Sequence, residues 1–284
     1  MIRTLLWKSL QHCAKPLLRK RVNRGWPWIV SQSVWTRLTP EKWLTLEHHL
    51  LAHGEEFARS HIKTHPHLSQ VIRDSDISAS AITPLAALLT WQLIRSRKPS
   101  AILDLGSGVS SRLFALHARL CSEAGLEAPR IISVDHDQGW LEKTAENLDQ
   151  YGLAENVKLV HAPLIDQELD GHAVTSYSLE PIADALENKR IDFLSIDGPP
   201  SSIGRAACLP LVSHLLNDSA VVLLDDFCRE GERSAVQQWK QRFREEIRSI
   251  KCALTGRGMA IIEWSSAARK KSANLESKQF AARP

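Results

Sequence analysis

From residue 101 onward, short apolar runs alternate with longer amphipathic stretches. Each run is largely apolar over a few residues, which is typical of strands buried on both faces. The runs lie at Ala101–Leu105, Ile131–Val134, Val157–Val160, Ile191–Ile196, Ala220–Leu224 and Met259–Trp264. The stretches between them predict helices at Ser110–Ala124, Gln138–Tyr151, Ile203–Leu216 and Arg233–Glu246. Because strands that alternate with helices form parallel sheets, the pattern predicts a doubly wound α/β fold.

The pattern changes at the last two predicted strands. Ile247–Leu254 is followed closely by Met259–Trp264, and the short connection contains Gly256 and Gly258. A connection of this length cannot contain a helix, so we expect an antiparallel hairpin at the edge of the sheet. With this hairpin, the predicted sheet is mostly parallel and has seven strands.

The region before residue 101 is predicted to be helical. Two helices are indicated, at Pro40–Ser60 and Pro84–Arg97, each with a proline at its start. The interval His61–Ser80 between them is polar and is predicted to be a loop. We therefore divide the chain into a basic, tryptophan-rich N-terminal arm, a helical extension, the α/β domain and a disordered basic tail. Their predicted ranges are 1–40, 41–98, 99–265 and 266–284.

Composition narrows the class of protein. The chain has 284 residues and is 43% hydrophobic, which is enough for a full core. It has no run of about 18 apolar residues and no clean secretory signal, so we expect no membrane-spanning helix. Its five cysteines are scattered and form no Cys-x-x-Cys pair. This argues against a disulfide framework and favours a reducing, cytoplasmic location.

Charge is distributed unevenly along the chain. Residues 1–40 carry eight basic side chains and no acidic one, whereas residues 41–265 have a net charge of −8. An acidic body argues against a general nucleic-acid surface. The basic arm with its tryptophans suits peripheral contact with an anionic membrane, at its inner face. Packing on the body, a homodimer contact, an RNA-contacting arm and a mitochondrial presequence are the open alternatives.

The first parallel strand ends in a glycine loop that precedes a helix. The segment Asp104–Ser111 reads Asp-Leu-Gly-Ser-Gly-Val-Ser-Ser, with glycines at positions 106 and 108. Glycines at such a turn let the backbone approach a ligand closely, and the helix N-terminus offers amides to an anionic group. A dinucleotide fingerprint would place a third glycine where Ser111 stands. The loop therefore favours a ligand without a diphosphate, such as a nucleoside with an amino-acid tail; an ordinary tight turn is the alternative.

The second strand ends in an acidic residue beside this loop. Asp135 directly follows the apolar run, and an acid at that strand end can accept hydrogen bonds from both hydroxyls of a ribose. Asp137 is instead predicted to cap the following helix. His136, between them, is predicted to line the wall of the pocket.

Four segments follow one another at the ends of the predicted strands. They are Asp-Leu-Gly-Ser-Gly at 104–108, Ser-Val-Asp-His-Asp at 133–137, Asp-Gly-Pro-Pro at 197–200 and Leu-Leu-Asp-Asp at 223–226. Together with the terminal hairpin, these segments resemble a class I S-adenosylmethionine-dependent methyltransferase, nearest to the small-molecule O-methyltransferases. The resemblance covers roughly residues 80–265.

The resemblance implies how S-adenosylmethionine would be bound. The Gly106–Gly108 loop would pack against the methionine part of this cofactor, Asp104 would support its amino end, and Asp135 would hold the ribose. The segment 161–164 would lie by the adenine. The cofactor-binding residues predicted in this way are Asp104, Gly106, Ser107, Gly108, Ser110, Asp135, His136, Ala162 and Pro163.

Two further strand ends place carboxylates where a methyl acceptor would bind. Asp197 ends the fourth strand and should face the transferred methyl group, since ligands lie beyond the carboxyl ends of parallel strands. Asp225 ends the fifth strand, and these two acids are the predicted catalytic residues. Enzymes that methylate flipped bases have Asp/Asn-Pro-Pro followed by an aromatic residue. Here Gly198 intervenes and Ser201 stands in the aromatic position, which argues against such a substrate.

Asp197, Asp225 and Asp226 would together suit Mg²⁺, because all three offer carboxylate oxygens. A metal-bound hydroxyl loses its proton easily, so the set resembles that of metal-assisted O-methyltransferases typified by the catechol enzymes. In those enzymes the third ligand is commonly Asn and a lysine follows the first Asp by three residues, whereas this chain has Asp226 and Pro200. The alternative is that Asp225 and Asp226 cap the following loop and Asp197 acts alone as a base.

The sequence thus predicts an enzyme that transfers a methyl group from S-adenosylmethionine to a hydroxyl of a small molecule or sugar, with Mg²⁺ as a candidate cofactor. An NAD(P)-dependent Rossmann oxidoreductase is one alternative, although Ser111 and the terminal hairpin count against it. A non-catalytic module that binds the cofactor is the other.

Overall fold

A computed structural model describes residues 29–31, 54–73, 82–253 and 255–266. Most of the basic arm, most of the first predicted helix and residues 267–284 of the tail lie outside these ranges. The predictions for those segments, including membrane contact and a homodimer contact, therefore stay predictions. None of the described helices is both long enough and apolar enough to span a membrane.

Eight of the strands in the described residues form one sheet. The strands are β1 (Ile29–Ser31), β2 (Ala101–Leu105), β3 (Arg130–Asp135), β4 (Lys158–His161), β5 (Leu164–Leu169), β6 (His172–Tyr177), β7 (Ile191–Ile196), β8 (Leu216–Asp225), β9 (Ile247–Ala253) and β10 (Met259–Trp264). The order in the large sheet is β1-β9-β10-β8-β7-β2-β3-β4, while β5 and β6 pair with each other.

The large sheet confirms the predicted α/β architecture. Strands β4, β3, β2, β7 and β8 are parallel neighbours. Strand β10 is antiparallel to both β8 and β9. These seven strands are the mostly parallel sheet with its antiparallel C-terminal hairpin. Strands β2, β7 and β10 have the predicted bounds, because each is a largely apolar run that is buried along most of its length.

Two strand pairings lie beyond the prediction. Strand β1 pairs antiparallel with β9, with Ile29 opposite Ala253, so the C-terminal hairpin is not the edge of the sheet. A strand of three residues is too short to show an alternating pattern. The separate β5–β6 hairpin mixes polar and apolar residues, most of them partly or fully exposed, so it has no apolar run that would predict it.

Helices pack on the sheet and its edges. They are α1 (54–64), α2 (Leu68–Val71), α3 (Pro84–Arg97), α4 (Val109–Glu123), α5 (Gln138–Gln150), α6 (Glu180–Leu186), α7 (Cys208–Val212) and α8 (Glu230–Arg242). Helix α3 has the predicted bounds and begins with Pro84 after a capping threonine, Thr83, whose hydroxyl accepts a hydrogen bond from the Ala86 amide. The predictions of α4 and α5 are correct to within a residue at either end.

The loop predicted over the interval 61–80 is wrong for its described part. Helix α1 continues to residue 64, and α2 follows it. Leu68 and Val71 of α2 are buried in the apolar core with Ile62. Their burial holds the segment in place despite its many polar neighbours.

The helix predicted over residues 203–216 is also largely wrong. Only α7 is α-helical, and a single 3₁₀ turn, Ser213–Leu215, follows it. Gly204 has a φ of +86°, which breaks a helix before α7. The next side chain, Arg205, is buried instead of lying on a helix surface.

Both faces of the large sheet are covered. The pleat of β2 sends alternate side chains to opposite faces, so Leu103 and Leu105 pack in one apolar layer and Ile102 in the other. Helices α6, α7 and α8 cover the first layer, whereas α3 and α4 cover the second. Because the central strands are parallel, the loops after β2, β3, β7 and β8 meet at one edge, where the predicted site lies.

Candidate functional site

The glycine loop after β2 packs directly on the end of β7. Gly106 has a φ of +101°, and a Cβ atom at this position would lie 2.7 Å from the backbone nitrogen of Gly198. The carbonyl oxygen of Leu105 accepts hydrogen bonds from the amides of Asp197 (2.8 Å) and Gly198 (2.7 Å). Only glycine fits at position 106, and the close approach fixes Asp197 beside the loop.

Asp104 is a fully buried carboxylate beneath this loop. Its Oδ2 accepts hydrogen bonds from the hydroxyls of Ser110 (3.0 Å), Ser111 (2.9 Å) and Ser133 (3.0 Å). Its Oδ1 is buried and has no hydrogen-bond partner within the described residues. Burial raises the pKa of Asp104 to about 7, although the serine hydroxyls oppose the shift. The site therefore has one carboxylate oxygen free to bind a donor.

Ser111 has a structural role that explains why no third glycine stands there. Its hydroxyl donates to Asp104 and accepts a hydrogen bond from the Gly108 amide over 2.9 Å. The same hydroxyl lies 2.7 Å from that of Ser133 on β3. The serine thus closes the loop onto the sheet from inside.

Asp135 ends β3, and its carboxylate faces the glycine loop. Its Oδ2 accepts hydrogen bonds from the amide (3.0 Å) and the hydroxyl (3.3 Å) of Ser107. Its Oδ1 accepts from the Asp137 amide at 3.1 Å and lies 3.1 Å from Nδ1 of His136. As predicted, Asp137 caps α5, because its carboxylate accepts a hydrogen bond from the Trp140 amide.

Trp140 and Tyr177 also contact the site, although no sequence motif marks either residue. The Trp140 indole donates a hydrogen bond to the carbonyl oxygen of Ser107 over 2.7 Å, and 46% of the residue is exposed. Tyr177 is buried, and its hydroxyl has no hydrogen-bond partner among the described residues. A Cβ atom on Gly198 would lie 2.0 Å from this hydroxyl. Burial, and after it the charge of Asp135, raises the pKa of Tyr177, so this hydroxyl stays protonated.

The segment predicted to lie by an adenine follows β4. Ala162 is buried, and its amide donates a hydrogen bond to the carbonyl oxygen of Asp135 over 2.9 Å. Pro163 is exposed, and its carbonyl oxygen accepts from the Ser178 amide. His136 packs edge-on against Tyr177, with 6.3 Å between ring centroids. The geometry thus brings His136, Ala162 and Pro163 to the same edge of the sheet as Asp135.

Asp197 is the exposed acid of the acceptor side. Its side chain is 45% exposed, and its Oδ1 accepts a hydrogen bond from Nη2 of Arg205 over 3.0 Å. Among the described residues, Oδ2 accepts no hydrogen bond. Loss of hydration raises the pKa of Asp197, and the charge of Arg205 opposes this rise. Asp197 therefore presents one anchored and one open oxygen.

Asp226, in contrast, is buried and surrounded by arginines. Only 2% of its side chain is exposed. Its Oδ2 lies 3.1 Å from Arg205 Nη2 and 2.8 Å from Arg229 Nη1, and its Oδ1 lies 2.7 Å from Arg257 Nε. Both carboxylate oxygens are therefore paired with guanidinium groups.

Asp225 ends β8 between these groups. Its carbonyl oxygen accepts a hydrogen bond from Nη1 of Arg205 over 3.1 Å. Burial raises the pKa of its carboxyl group to about 7, and the charges of Asp197 and Asp226 add to this shift. The carboxyl group can therefore exchange a proton near neutral pH.

These contacts do not fit the predicted Mg²⁺ site. The structure brings Asp197 and Asp226 together, but the guanidinium group of Arg205 lies between them. No group of three or more His, Cys, Asp or Glu side chains in the described ranges is arranged to hold a metal ion. Arg205 belongs to a segment that was predicted to be helical, and no motif marks it.

A cavity of about 440 Å³ lies at the opposite edge of the sheet. It is lined by Arg190, His214, Phe243 and Trp264, among others, near the amino ends of β7 and β8. Ligands of open α/β sheets bind beyond the carboxyl ends of the strands. The candidate site is therefore the edge that holds the glycine loop, Asp135 and Asp197.

Comparisons with known proteins show which domain and fold the chain resembles. No curated protein matches the chain. A family model described as a methyltransferase domain matches residues 103–227, from β2 to the end of β8.

Two solved structures have a similar fold. One is the O-methyltransferase TomG from Streptomyces achromogenes, involved in tomaymycin synthesis and solved in complex with SAM. It is 17% identical, with 77% of this chain and 98% of that chain covered and a TM-score of 0.53. The other is the O-methyltransferase from Bacillus cereus in complex with SAH, which is 13% identical, with 79% and 99% covered and a TM-score of 0.50.

The structural likeness establishes the fold, and the family model covers the segment that carries the glycine loop and all three acidic strand ends. Residues 103–227 thus match a methyltransferase domain, and the chain has the fold of solved O-methyltransferases.

Proposed function

We propose that this chain transfers the methyl group of S-adenosylmethionine to a hydroxyl group of a small molecule or sugar, with Asp197 as the base. The observation that carries the proposal is the position of Asp197. Its amide is bound to Leu105 at the start of the glycine loop, while its carboxylate is open to solvent. A base in that position borders both the cofactor loop and the space for an acceptor.

The proposed cofactor site uses the loop and the two acids beneath it. The Gly106–Gly108 backbone would pack against the methionine part of the cofactor. The unpartnered Oδ1 of Asp104 would accept a hydrogen bond from the cofactor's ammonium group or from a water bound to it. Ser110 would act through Asp104, to which its hydroxyl donates.

Asp135 would hold the ribose, and its present contacts allow this. The ribose would replace the Ser107 hydroxyl at Oδ2, because that hydroxyl also lies 3.2 Å from the Thr144 hydroxyl and keeps a partner there. The Ser107 amide would stay bound. We assign His136, Ala162 and Pro163 to the wall beside the adenine.

Methyl transfer needs the acceptor oxygen to be aligned with the methyl group, and it needs removal of the acceptor's proton. Oδ2 of Asp197 would take the proton as the acceptor oxygen bonds to the methyl carbon and the carbon–sulfur bond breaks. S-adenosylhomocysteine then leaves as a neutral sulfide, and the proton passes from Asp197 to water. We assign Asp225 as the second catalytic group, because it ends the neighbouring strand and its carbonyl oxygen binds the same Arg205 that holds Asp197.

Several observations favour a small hydroxyl acceptor. Both solved structures compared above are named O-methyltransferases. Ser201 stands where enzymes that methylate flipped bases have a stacking aromatic residue. The oxidoreductase alternative loses support, because Ser111 is buried and hydrogen-bonded where a dinucleotide loop needs glycine. Since Mg²⁺ does not fit the arginine-paired carboxylates, the proposed reaction has no metal-dependent step.

The test is transfer of a tritiated methyl group from S-adenosylmethionine to a panel of catechols, phenols, sugars and amines. The full chain should label at least one hydroxyl acceptor. Asp197→Asn should lose about a hundredfold or more in turnover and still bind the cofactor, since general-base catalysis contributes that much. The exposed Asp184→Asn variant is the control and should keep its activity. Full activity of Asp197→Asn, or labelling of amines only, would contradict the proposal.

A further inference from the structure

Arg205 is a buried arginine at the centre of the acceptor side. Only 4% of its side chain is exposed. Its Nε donates to the carbonyl oxygen of Pro199 over 3.3 Å, and its Nη1 donates to that of Asp225 over 3.1 Å. Its Nη2 lies between Asp197 Oδ1 (3.0 Å) and Asp226 Oδ2 (3.1 Å). All three guanidinium nitrogens therefore have partners, and the charge is held in one place.

The contacts of Arg205 link the two strand ends of the acceptor side. Pro199 follows β7, whereas Asp225 ends β8, and the two acids on Nη2 come from the same two places. Glu232 of α8 also lies 3.9 Å from Nε. A guanidinium group is planar and permanently charged, so it can hold several acceptors in a fixed geometry.

We infer that Arg205 is a positioning residue that supplies the positive charge which a divalent cation supplies in metal-assisted O-methyltransferases. It lies where a cation shared by Asp197 and Asp226 would lie. It binds Oδ1 of Asp197 and so leaves Oδ2 of the same carboxylate directed away from the pair. The inference deepens the proposed function and rests on it, because it assumes that Asp197 is the base.

The difference from a metal ion has a chemical consequence. A metal ion binds the acceptor hydroxyl itself and lowers its pKa. Four of the five N–H groups of Arg205 have acceptors, and only 4% of its side chain is exposed, so it acts on Asp197 and not on the acceptor. The acceptor's proton must then go to the carboxylate, and no divalent ion is required.

Neighbouring arginines complete the charge balance. Arg229 and Arg257 pair with the Asp226 oxygens, so this acid would have to lose several partners before it could bind a metal. Removal of Arg205 alone would leave Asp226 with two guanidinium partners, whereas Asp197 would lose the one described for its carboxylate. A divalent ion that prefers carboxylate oxygens would then have a place to bind.

The test is a Mn²⁺ titration of the full chain, followed by electron paramagnetic resonance of the free ion. Wild type and Arg205→Lys, which keeps the charge, should bind no Mn²⁺ at this site. Arg205→Ala should gain one Mn²⁺ site that neither of these proteins has, because Asp197 loses the cation beside its carboxylate. Arg112→Ala, which removes a different buried arginine, should gain no site.

One Mn²⁺ bound by wild type and lost in Asp197→Asn would overturn the inference, and this arm does not depend on the folding of Arg205→Ala. A folded Arg205→Ala that gains no Mn²⁺ site would also contradict it. Binding of S-adenosylhomocysteine by wild type is measured in parallel. Its absence would count against the proposed function, whereas the Mn²⁺ results test Arg205.

Discussion

The backbone amide of Ser107 donates a hydrogen bond to the Asp135 carboxylate over 3.0 Å. This contact joins the glycine loop after β2 to the acid at the end of β3, two segments 28 residues apart. The proposed ribose ligand thus also fixes the loop that would receive the methionine part. Substitution of Asp135 should therefore affect both halves of the cofactor site.

We predict that Asp135→Ala weakens the binding of S-adenosylhomocysteine about 30-fold or more, since it removes charge-assisted hydrogen bonds to ribose and loop. Titration calorimetry measures the change. Ser107→Ala is the matched control, because it removes the hydroxyl but keeps the amide that Asp135 binds, and it should cost about threefold or less. Equal affinity of Asp135→Ala and wild type would remove Asp135 from the site.

Gly106→Ala should be far more damaging than Gly152→Ala. Both glycines have a positive φ, +101° and +62°, but only at Gly106 would a Cβ atom meet backbone, 2.7 Å from Gly198. Gly152→Ala should lower the free energy of unfolding by about 1–2 kcal/mol. Gly106→Ala adds a backbone clash and should cost about 3 kcal/mol or more, with loss of cofactor binding. Urea unfolding measures the stability of both variants. Similar losses of unfolding free energy would contradict the close packing of Gly106 on Gly198.

Binding of S-adenosylhomocysteine should become tighter as pH rises through 7. Burial holds the pKa of Asp104 at about 7, so the carboxyl group is protonated in half of the molecules there. The ligand's ammonium group favours the charged form, so binding must expel this proton at low pH. Between pH 6 and pH 7.5 the affinity should rise roughly eightfold.

The control for this pH dependence is a pair of Asn variants. Asp104→Asn should bind weakly with little change over the same range, because it has no proton to lose. Asp225→Asn should keep the pH dependence, although the pKa of Asp225 is also about 7. If the pH dependence of the affinity disappears in Asp225→Asn and persists in Asp104→Asn, the titrating group is Asp225 and the prediction is contradicted.

Asp226→Asn should destabilise the fold strongly. Three arginines contact this buried carboxylate, and its neutralisation would remove the negative charge that they share. We expect the free energy of unfolding to fall by about 3–5 kcal/mol, as for other broken buried pairs. The exposed Glu168→Gln is the control and should change it by less than about 0.5 kcal/mol. A loss below about 1 kcal/mol for Asp226→Asn would mean that the arginine cluster is not a stabilising unit.

Much of the sheet could be predicted, because several of its strands are largely apolar runs followed by glycine or an acid. Ala101–Leu105 and Ile191–Ile196 are such runs, and Gly106 and Asp197 follow them directly. Strand β1 and the β5–β6 hairpin have no comparable local signal, since pairing with other strands holds them in place.

In the candidate site, the sequence could point only to residues that belong to a recognisable motif. Arg205 pairs with Asp226 across 21 residues, and Tyr177 reaches Gly198 from a separate hairpin, so no local pattern reveals either contact. The three carboxylates suggested Mg²⁺ because their own sequence does not show which cation lies beside them. In the fold that cation is an arginine from a segment expected to be helical.

The central claim is that the glycine loop and Asp135 bind an adenosyl cofactor without a diphosphate. Titration calorimetry of the full chain with S-adenosylhomocysteine and, separately, with NADH tests it most directly. The account predicts one S-adenosylhomocysteine bound per chain and no binding of NADH. Binding of NADH without binding of S-adenosylhomocysteine would contradict it.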